Sequence, residues 1–263
     1  MSNLSALDHD GYTVISNFLN SRELEILRND YNNTADFFGE YGIKLVSKSA
    51  IGFITNKINQ TLLDITNSTS IIVDTVNHPQ LYINNQKTYF DWHQDHESWY
   101  IEQESTNHVN LYMPLHKELP NKSGISIVPM TALADHINLF ANKGARRFIA
   151  GETTTVIDDD LGYEFYLDFD INERSVTPNL IPGDLLIMRG DMIHKTQDSD
   201  TERYSISIRC THGEKKISKS RLFSGCEVKR QYLEKNAYFY DRVKNAFGNE
   251  EYISLSKLLK ELL

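Results

Sequence analysis

Two histidines and one aspartate in this chain have residue types and spacings suited to holding a metal ion. His93 and Asp95 flank Gln94 in the stretch Trp92-His-Gln-Asp95. Alternate residues of a β-strand point to the same face, so His93 and Asp95 would converge on one point while Gln94 faces away. An imidazole and a carboxylate are both ligands that transition metals accept. A surface pair beside a cluster of aromatic residues is the alternative interpretation.

A second histidine, His194, follows a segment that predicts a turn, a strand and a second turn. Pro182-Gly-Asp-Leu-Leu-Ile-Met-Arg189 starts with a turn signal and continues as an apolar run, which Gly190 and Asp191 interrupt. His194 is therefore predicted at the start of the next strand. Two imidazoles and one carboxylate on one face of an octahedron are the ligand set of non-haem ferrous oxygenases. By itself, His194 would be interpreted as a structural histidine near a turn.

An arginine and a serine begin the strand after His194. Arg203 and Ser205 are two residues apart, which places both side chains on one face, where a guanidinium and a hydroxyl can together bind a carboxylate. Arg209 is the competing arginine. It would lie roughly 20 Å further along the same strand, so only one of the two can serve a single site. An edge-strand arginine exposed to solvent is the alternative for Arg203.

Short strands are the elements that must position these side chains. From about residue 70 to 212 the chain consists of short apolar or alternating runs, separated by Asn, Gly, Pro and Asp. Many short strands between turn signals are typical of a sandwich or a jelly roll, and the chain has no βαβ alternation and no internal repeat. We therefore predict a mainly β core.

Helical patterns flank this core. After a short apolar strand, Asn20 and Glu23 form a capping-box pattern, which predicts a helix over about Ser21 to Thr34, and Lys57 to Asn67 is a weaker helical pattern. The segment after residue 225 is again helical and ends in an amphipathic tail. We predict one domain with three parts: a helical N-terminal cap of about 1–68, a core of about 70–212, and C-terminal helices of about 226–263.

Composition limits the class of protein and of partner. The 263 residues are 40% hydrophobic and 24% charged, which is ordinary for a globular protein, and two cysteines are too few for a disulfide framework. Neither a membrane-spanning run nor a secretory signal is visible. A formal charge of −9 argues against nucleic acid, which is bound by clustered Lys and Arg. We expect a cytoplasmic protein that binds a small-molecule substrate and neither nucleic acid nor membrane.

In these motifs and their order, the chain resembles the phytanoyl-CoA dioxygenase family of Fe(II)- and 2-oxoglutarate-dependent oxygenases. The resemblance depends on Trp92-His-Gln-Asp95, on the Pro-Gly-Asp-Leu-Leu run before His194, and on Arg203. The early Asp10-Gly-Tyr-Thr-Val-Ile-Ser-Asn-Phe-Leu19 and the Asn121-Lys-Ser-Gly turn are also similar, so the resemblance covers about residues 8–212. It implies a double-stranded β-helix, a cupin-like jelly roll with flanking helices and the site inside one open end.

The resemblance also implies a role for each matching residue. His93, Asp95 and His194 correspond to the iron ligands, and Arg203 to the residue that binds the distal carboxylate of 2-oxoglutarate. Further contacts to this cosubstrate are implied for Ser205, Asn110 and Tyr82. The implied reaction consumes O2 and 2-oxoglutarate, releases succinate and CO2, and hydroxylates a small-molecule metabolite. Related halogenases have a small residue in place of the carboxylate, so the presence of Asp95 favours oxidation over halogenation.

Several assignments stay open at this point. Two groups of side chains could contact substrate. The first is His96, Glu97, Trp99 and Tyr100 at the entrance, for which packing is the favoured alternative. The second is Lys143, Arg146 and Arg147 in the segment over the site, for which a solvated basic turn is the alternative. A cupin-like metal-dependent isomerase or hydrolase could use the same triad. A non-catalytic binding module on this fold is the other alternative.

Overall fold

A computed structural model of the chain describes residues 3–38, 43–66, 71–74, 81–86, 89–94, 108–136, 147–148, 153–158, 164–224 and 237–262. The helices are α1 (Asn3–Asp10), α2 (Ser21–Asn33), α3 (Lys48–Thr66), α4 (Lys219–Ser224), α5 (Ala237–Phe247) and α6 (Leu255–Leu262), with 3-10 turns at Met130–His136 and Ile171–Arg174. The strands are β1 (Tyr12–Ile15), β2 (Asp36–Phe38), β3 (Ile43–Leu45), β4 (Ile71–Asp74), β5 (Leu81–Asn84), β6 (Val109–Lys117), β7 (Ile125–Ile127), β8 (Arg147–Phe148), β9 (Thr155–Asp158), β10 (Glu164–Tyr166), β11 (Leu185–Arg189), β12 (His194–Thr196), β13 (Arg203–His212), β14 (Lys216–Ser218) and β15 (Tyr252–Ser254).

One antiparallel sheet forms the larger wall of the core. Its strands lie in the order β1-β11-β6-β13-β5-β3-β2, and β4 also pairs with β13. The outer face of this sheet, through residues such as Leu111 and Ile206, packs on the helices through Leu27 and Ile58. Strands covered on both faces need apolar residues at successive positions, which explains why β6 and β11 are nearly continuous hydrophobic runs. The larger sheet is thus closed on its helical side.

A second, smaller sheet faces the inner side of the first. β12 pairs with β7, and single backbone bridges continue the pairing on either side, from His194 to His93 and from Ile127 to Val176. Tyr112, Leu186 and Met188 of the larger sheet form one hydrophobic cluster with Ile125 and Ile127 of the smaller one. The two sheets therefore enclose a common interior, and β8, β9 and β10 form a further ladder beside them.

The chain alternates between these two sheets, which is the winding of a jelly roll. β5 and β6 lie in the larger sheet, and the segment between them reaches the smaller sheet at His93. In the same way β12 belongs to the smaller sheet, between β11 and β13 of the larger one. The predicted fold class, a mainly β jelly roll with flanking helices, is confirmed.

The N-terminal elements follow local sequence signals, with two corrections. Asn20 and Glu23 form the predicted reciprocal capping box at the start of α2. The apolar strand predicted before the capping box, to end at Asn20, is shorter and ends at Ile15, because the chain turns at Asn17, whose φ is 53°. α3 begins at Lys48 rather than at Lys57, because Ser47 Oγ accepts the backbone N–H of Ala50 and caps an earlier turn.

The C-terminal helices pack into a hydrophobic cluster of their own. α4, α5 and α6 surround β14 and β15, with Ile217, Val243, Phe247 and Leu258 in the interior of the cluster. The predicted helical C-terminus thus contains β15 as well. The division of the chain into one domain with three parts stays a prediction. In the described ranges, every helix is too short or too polar to cross a membrane.

Candidate functional site

The two histidines predicted as metal ligands lie side by side on neighbouring strands. His93 and His194 exchange both backbone hydrogen bonds, each with an N···O distance of 3.0 Å, and their ring centroids are 4.3 Å apart. Directly opposed residues of antiparallel strands point to the same face. The residue opposite His194 on its other side is Ile127, which belongs to the inner core. Both imidazoles therefore face the interior between the two sheets.

Carbonyl oxygens of the nearby chain orient both imidazoles. Nδ1 of His93 lies 2.6 Å from the carbonyl oxygen of Asp91, and Nδ1 of His194 lies 3.0 Å from that of Met192. A carbonyl oxygen only accepts hydrogen bonds, so each Nδ1 is the donor, and Nε2 is the ring nitrogen through which a metal would bind. Metal-binding histidines usually make such a hydrogen bond through the ring nitrogen that does not bind the metal. The two rings thus fit a divalent transition metal bound through Nε2.

The residues before the predicted third ligand alternate as expected. Gln94 faces away from the imidazole of His93, and its Nε2 donates to the carbonyl oxygen of Asp191 at 2.8 Å. Trp92 packs in a separate cluster with Ile193. Residues named above that lie outside the described ranges are Asp95, His96, Glu97, Trp99, Tyr100, Lys143 and Arg146. Within those ranges no group of three potential metal-binding side chains occurs, and ligation by Asp95 stays a prediction.

Arg203 and Ser205 lie together in the interior of the jelly roll. Arg203 begins β13, as predicted, and the two residues are only 2% and 1% exposed. Because Ile206 and Ile208 pack on the helical side of the sheet, Ser205 faces the other side, toward the smaller sheet. The guanidinium carbon of Arg203 is 5.4 Å from the ring centroid of Tyr112, which is part of the inner cluster.

Three buried polar atoms of this group have no hydrogen-bond partner outside the group in the described part of the chain: Nε of Arg203, Oγ of Ser205 and the phenolic oxygen of Tyr112. Such atoms are rare in folded proteins, since each costs about 1–3 kcal/mol when unpaired. Nη1 of Arg203 donates to the carbonyl oxygens of Ser123 and Gly124, at 2.8 and 3.1 Å, which do not neutralise its charge. One guanidinium and two hydroxyls can satisfy a carboxylate, so this cluster fits a carboxylate ligand.

Tyr112 is a member of the cluster that the sequence reasoning missed. Burial raises the pKa of its phenol, and the neighbouring Arg203 and Ser205 only partly oppose this increase. The phenol therefore stays protonated at neutral pH and can donate a hydrogen bond. A signal for it was present, because Tyr112 lies two residues after Asn110 on the same strand and hence on the same face.

Asn110 and Arg209 lie on the inner face at the opposite end of the same strand pair. Asn110 is buried and stands directly opposite Arg209 in the register of β6 and β13. Arg209 is also buried, and its Nη1 contacts Oγ of Ser207. Arg203 begins β13, so the two arginines lie near opposite ends of the same strand, as expected from their spacing in the sequence. Contact of Asn110 with a cosubstrate stays a prediction, as does contact of Arg147, which begins β8, with a substrate.

Tyr82 does not join this cluster. Its ring lies on the helical side of the larger sheet, and its hydroxyl donates to Oδ2 of Asp30 at 2.7 Å. On β13 it pairs with Ile206, which faces the helices. The predicted contact between Tyr82 and 2-oxoglutarate is therefore wrong. The register of β5 decides which face its side chains occupy, and a register cannot be derived from one short strand.

Gly190 makes room for His108 at the start of β6. A Cβ atom on Gly190 would lie 1.8 to 2.4 Å from three atoms of the His108 ring, and the N–H of Gly190 donates to the His108 carbonyl oxygen at 2.9 Å. His108 is itself buried. The glycine that the sequence marked as a turn signal thus also permits a close contact between two chain segments.

Gly190→Ala is accordingly expected to lower the free energy of unfolding by about 1–3 kcal/mol, because the buried ring must move. Denaturant unfolding measures this loss. Gly52→Ala in α3 is the matched control, since a Cβ there meets nothing within 4 Å and helix propensity favours alanine. In a His108→Ala background the clash is absent, so an equally large loss on introducing Gly190→Ala there would contradict the explanation.

Comparison with known proteins gives structural neighbours only. No family model matches the chain, and no curated protein matches it by sequence. The epimerase SnoN, in complex with Fe3+, alpha ketoglutarate and nogalamycin RO, has a TM-score of 0.56 at 13% identity, with 81% of this chain and 83% of that chain covered. EctD from S. alaskensis, with 2-oxoglutarate and 5-hydroxyectoine, has a TM-score of 0.55 at 12% identity, with coverages of 81% and 76%. EvdO2 from Micromonospora carbonacea var. aurantiaca has a TM-score of 0.53 at 9% identity, with coverages of 80% and 90%. At these identities the similarity establishes the fold.

Proposed function

We propose that the protein is an Fe(II)- and 2-oxoglutarate-dependent dioxygenase that hydroxylates a small-molecule metabolite, as the resemblance to the phytanoyl-CoA dioxygenase family implies. SnoN is described with Fe3+ and alpha ketoglutarate, and EctD with 2-oxoglutarate, which supports the same class of cofactor here. A cytoplasmic location is part of the same proposal. His93, Asp95 and His194 would hold the metal.

The observation that carries the proposal is the buried cluster of Arg203, Ser205 and Tyr112, whose three polar atoms have no partner outside the cluster among the described residues. A metal site alone would serve many reactions on this fold. A buried guanidinium with two hydroxyls beside it, inside the same pair of sheets as the paired imidazoles, supports a second ligand that carries a carboxylate. 2-Oxoglutarate has a carboxylate at each end and fits both requirements.

The residues of this chain would each perform a separate task. Arg203, Ser205 and Tyr112 bind the distal carboxylate and so fix the orientation of the cosubstrate. The apolar side chains between the two sheets, such as Leu186 and Ile127, exclude water from it. Iron with bound 2-oxoglutarate supplies the oxidising chemistry, with O2 consumed and succinate and CO2 released; the protein contributes position and exclusion of side reactions.

Anaerobic addition of Fe(II) and 2-oxoglutarate tests the proposal. We expect a visible charge-transfer band that needs both components, and succinate formation once O2 is admitted. A band without stimulated succinate formation after screening of metabolites would favour a binding module. Metal binding with neither band nor succinate would favour a metal-dependent isomerase or hydrolase, in which Arg203 would need another explanation.

Tyr112→Phe and Tyr82→Phe form a matched pair, because each removes one hydroxyl from a buried ring on opposite faces of the same sheet. Tyr112→Phe is expected to weaken 2-oxoglutarate binding about tenfold, since a hydrogen bond to a charged group is worth about 1.5 kcal/mol. Tyr82→Phe should leave binding unchanged and lower the free energy of unfolding by about 1 kcal/mol, through loss of the bond to Asp30. Calorimetry on the Mn(II)-loaded protein and denaturant unfolding measure the two effects, and the reverse pattern would contradict both assignments.

A further inference from the structure

The guanidinium of Arg203 is held by main-chain oxygens whose own positions are fixed. Nη1 donates to the carbonyl oxygens of Ser123 and Gly124, just before β7. Gly124 is held in turn by Gln197 on both sides: its N–H donates to Oε1 at 2.8 Å, and its carbonyl oxygen accepts the N–H of Gln197 at 3.0 Å. The arginine thus rests on a turn that other residues hold in place.

Ser123 has a backbone conformation that L-residues rarely adopt, with a φ of 53°. Its N–H donates to the carboxylate of Asp198 at 3.0 Å, and its hydroxyl lies within donating distance of that carboxylate, at 3.0 Å, and of the Thr201 carbonyl oxygen, at 2.7 Å. The hydroxyl also lies 2.6 Å from Oγ1 of Thr201. These bonds stabilise the turn that directs two successive carbonyl oxygens at one nitrogen of Arg203.

Asn85 fixes the main chain of the same arginine. Its Oδ1 accepts the N–H of Arg203 at 2.6 Å, and its own N–H donates to the Arg203 carbonyl oxygen at 3.1 Å. Nδ2 of Asn85 donates to Oγ of Ser123 at 3.1 Å and to the Thr201 carbonyl oxygen at 2.8 Å. The fully buried Asn85 therefore links the backbone of Arg203 to the turn that holds its side chain.

We infer that Asn85, Ser123 and Asp198 are positioning residues for Arg203, an inference that rests on the proposed function. Neutral carbonyl oxygens hold the guanidinium without cancelling its charge, and Nε stays available for a carboxylate. An arginine whose rotamer is already fixed loses less conformational entropy when the ligand binds. The three residues act on the distal carboxylate through Arg203 and not on the metal.

Ser123→Gly in the Mn(II)-loaded protein tests this role, because glycine adopts a positive φ without strain and the hydroxymethyl group, with its hydrogen bonds, is lost. The two probes are 2-oxoglutarate and oxalate, which lacks a distal carboxylate, and calorimetry gives both dissociation constants. We expect Ser123→Gly to weaken 2-oxoglutarate about fivefold or more and to change oxalate by less than about twofold. Asn85→Ala should give a larger difference in the same direction if it folds.

Asn17→Gly is the matched control, because Asn17 also has a φ of 53° and its N–H also donates to a carboxylate, Oδ1 of Asp184 at 2.9 Å. It should change neither dissociation constant. The inference is overturned if Ser123→Gly leaves 2-oxoglutarate binding unchanged, or weakens both ligands equally as a purely structural effect would. If the wild-type protein does not bind 2-oxoglutarate at all, the proposed function itself fails.

Discussion

His194→Ala is expected to lower metal affinity by at least about 100-fold. Loss of a residue that only hydrogen-bonds to a metal ligand already lowers metal affinity by about 10–100-fold, and loss of a ligand should cost more. His194 points to the same interior space as His93, and its Nδ1 is engaged by the Met192 carbonyl oxygen. Loss of Nε2 leaves an incomplete ligand set, so succinate formation should also disappear. Calorimetric titration with Mn(II) measures the affinity directly.

A second measurement separates metal binding from damage to the fold. Mn(II) at about 100 times its dissociation constant should raise the free energy of unfolding of the wild-type protein by about 2.7 kcal/mol, and that of His194→Ala by no more than about 0.4 kcal/mol. His116→Ala is the control, because this imidazole stacks on Tyr204 at the opposite, helical face of the sheet, with ring centroids 5.1 Å apart. Intact metal-dependent stabilisation in His194→Ala would remove His194 from the ligand set.

The sequence was sufficient where a prediction depended on alternation along one strand. Arg203 and Ser205, two residues apart, lie on the same face of β13, as predicted. A turn signal correctly located His194 at the start of β12. Such patterns are local, because strand geometry alone fixes the direction of alternate side chains. The mainly β class followed from the same regularity, repeated in many short segments.

The sequence was insufficient where long-range pairing decides a side chain's surroundings. Tyr82 was expected to contact the cosubstrate but lies on the helical face, because the register of β5 against β13 is set by tertiary packing. The bonds that connect Asn85, Ser123 and Asp198 join three distant segments, and no spacing within any one of them indicates the others. For Tyr112, the sequence was sufficient to predict the face of the strand on which it lies, but not its proximity to Arg203.

Arg203→Met is expected to weaken 2-oxoglutarate binding to the Mn(II)-loaded protein about 100-fold, or by about 3 kcal/mol, because methionine fills part of the space but offers neither charge nor donors. Oxalate affinity should change by less than about twofold, since oxalate needs only the metal. Lysine in place of arginine should not restore binding, because an ammonium cannot reproduce the planar fork of donors.

Arg28→Met is the matched control for the loss of a partly buried arginine. Arg28 contacts the same sheet from its helical face, where Nε donates to the Leu115 carbonyl oxygen at 2.7 Å, so its loss should affect stability but neither ligand. Equal weakening of both ligands by Arg203→Met would indicate a damaged fold. Unchanged 2-oxoglutarate binding would instead direct attention to Arg209, the other buried guanidinium on this face of β13. The comparison therefore decides which end of β13 receives the carboxylate, and with it the direction in which the cosubstrate lies between the sheets.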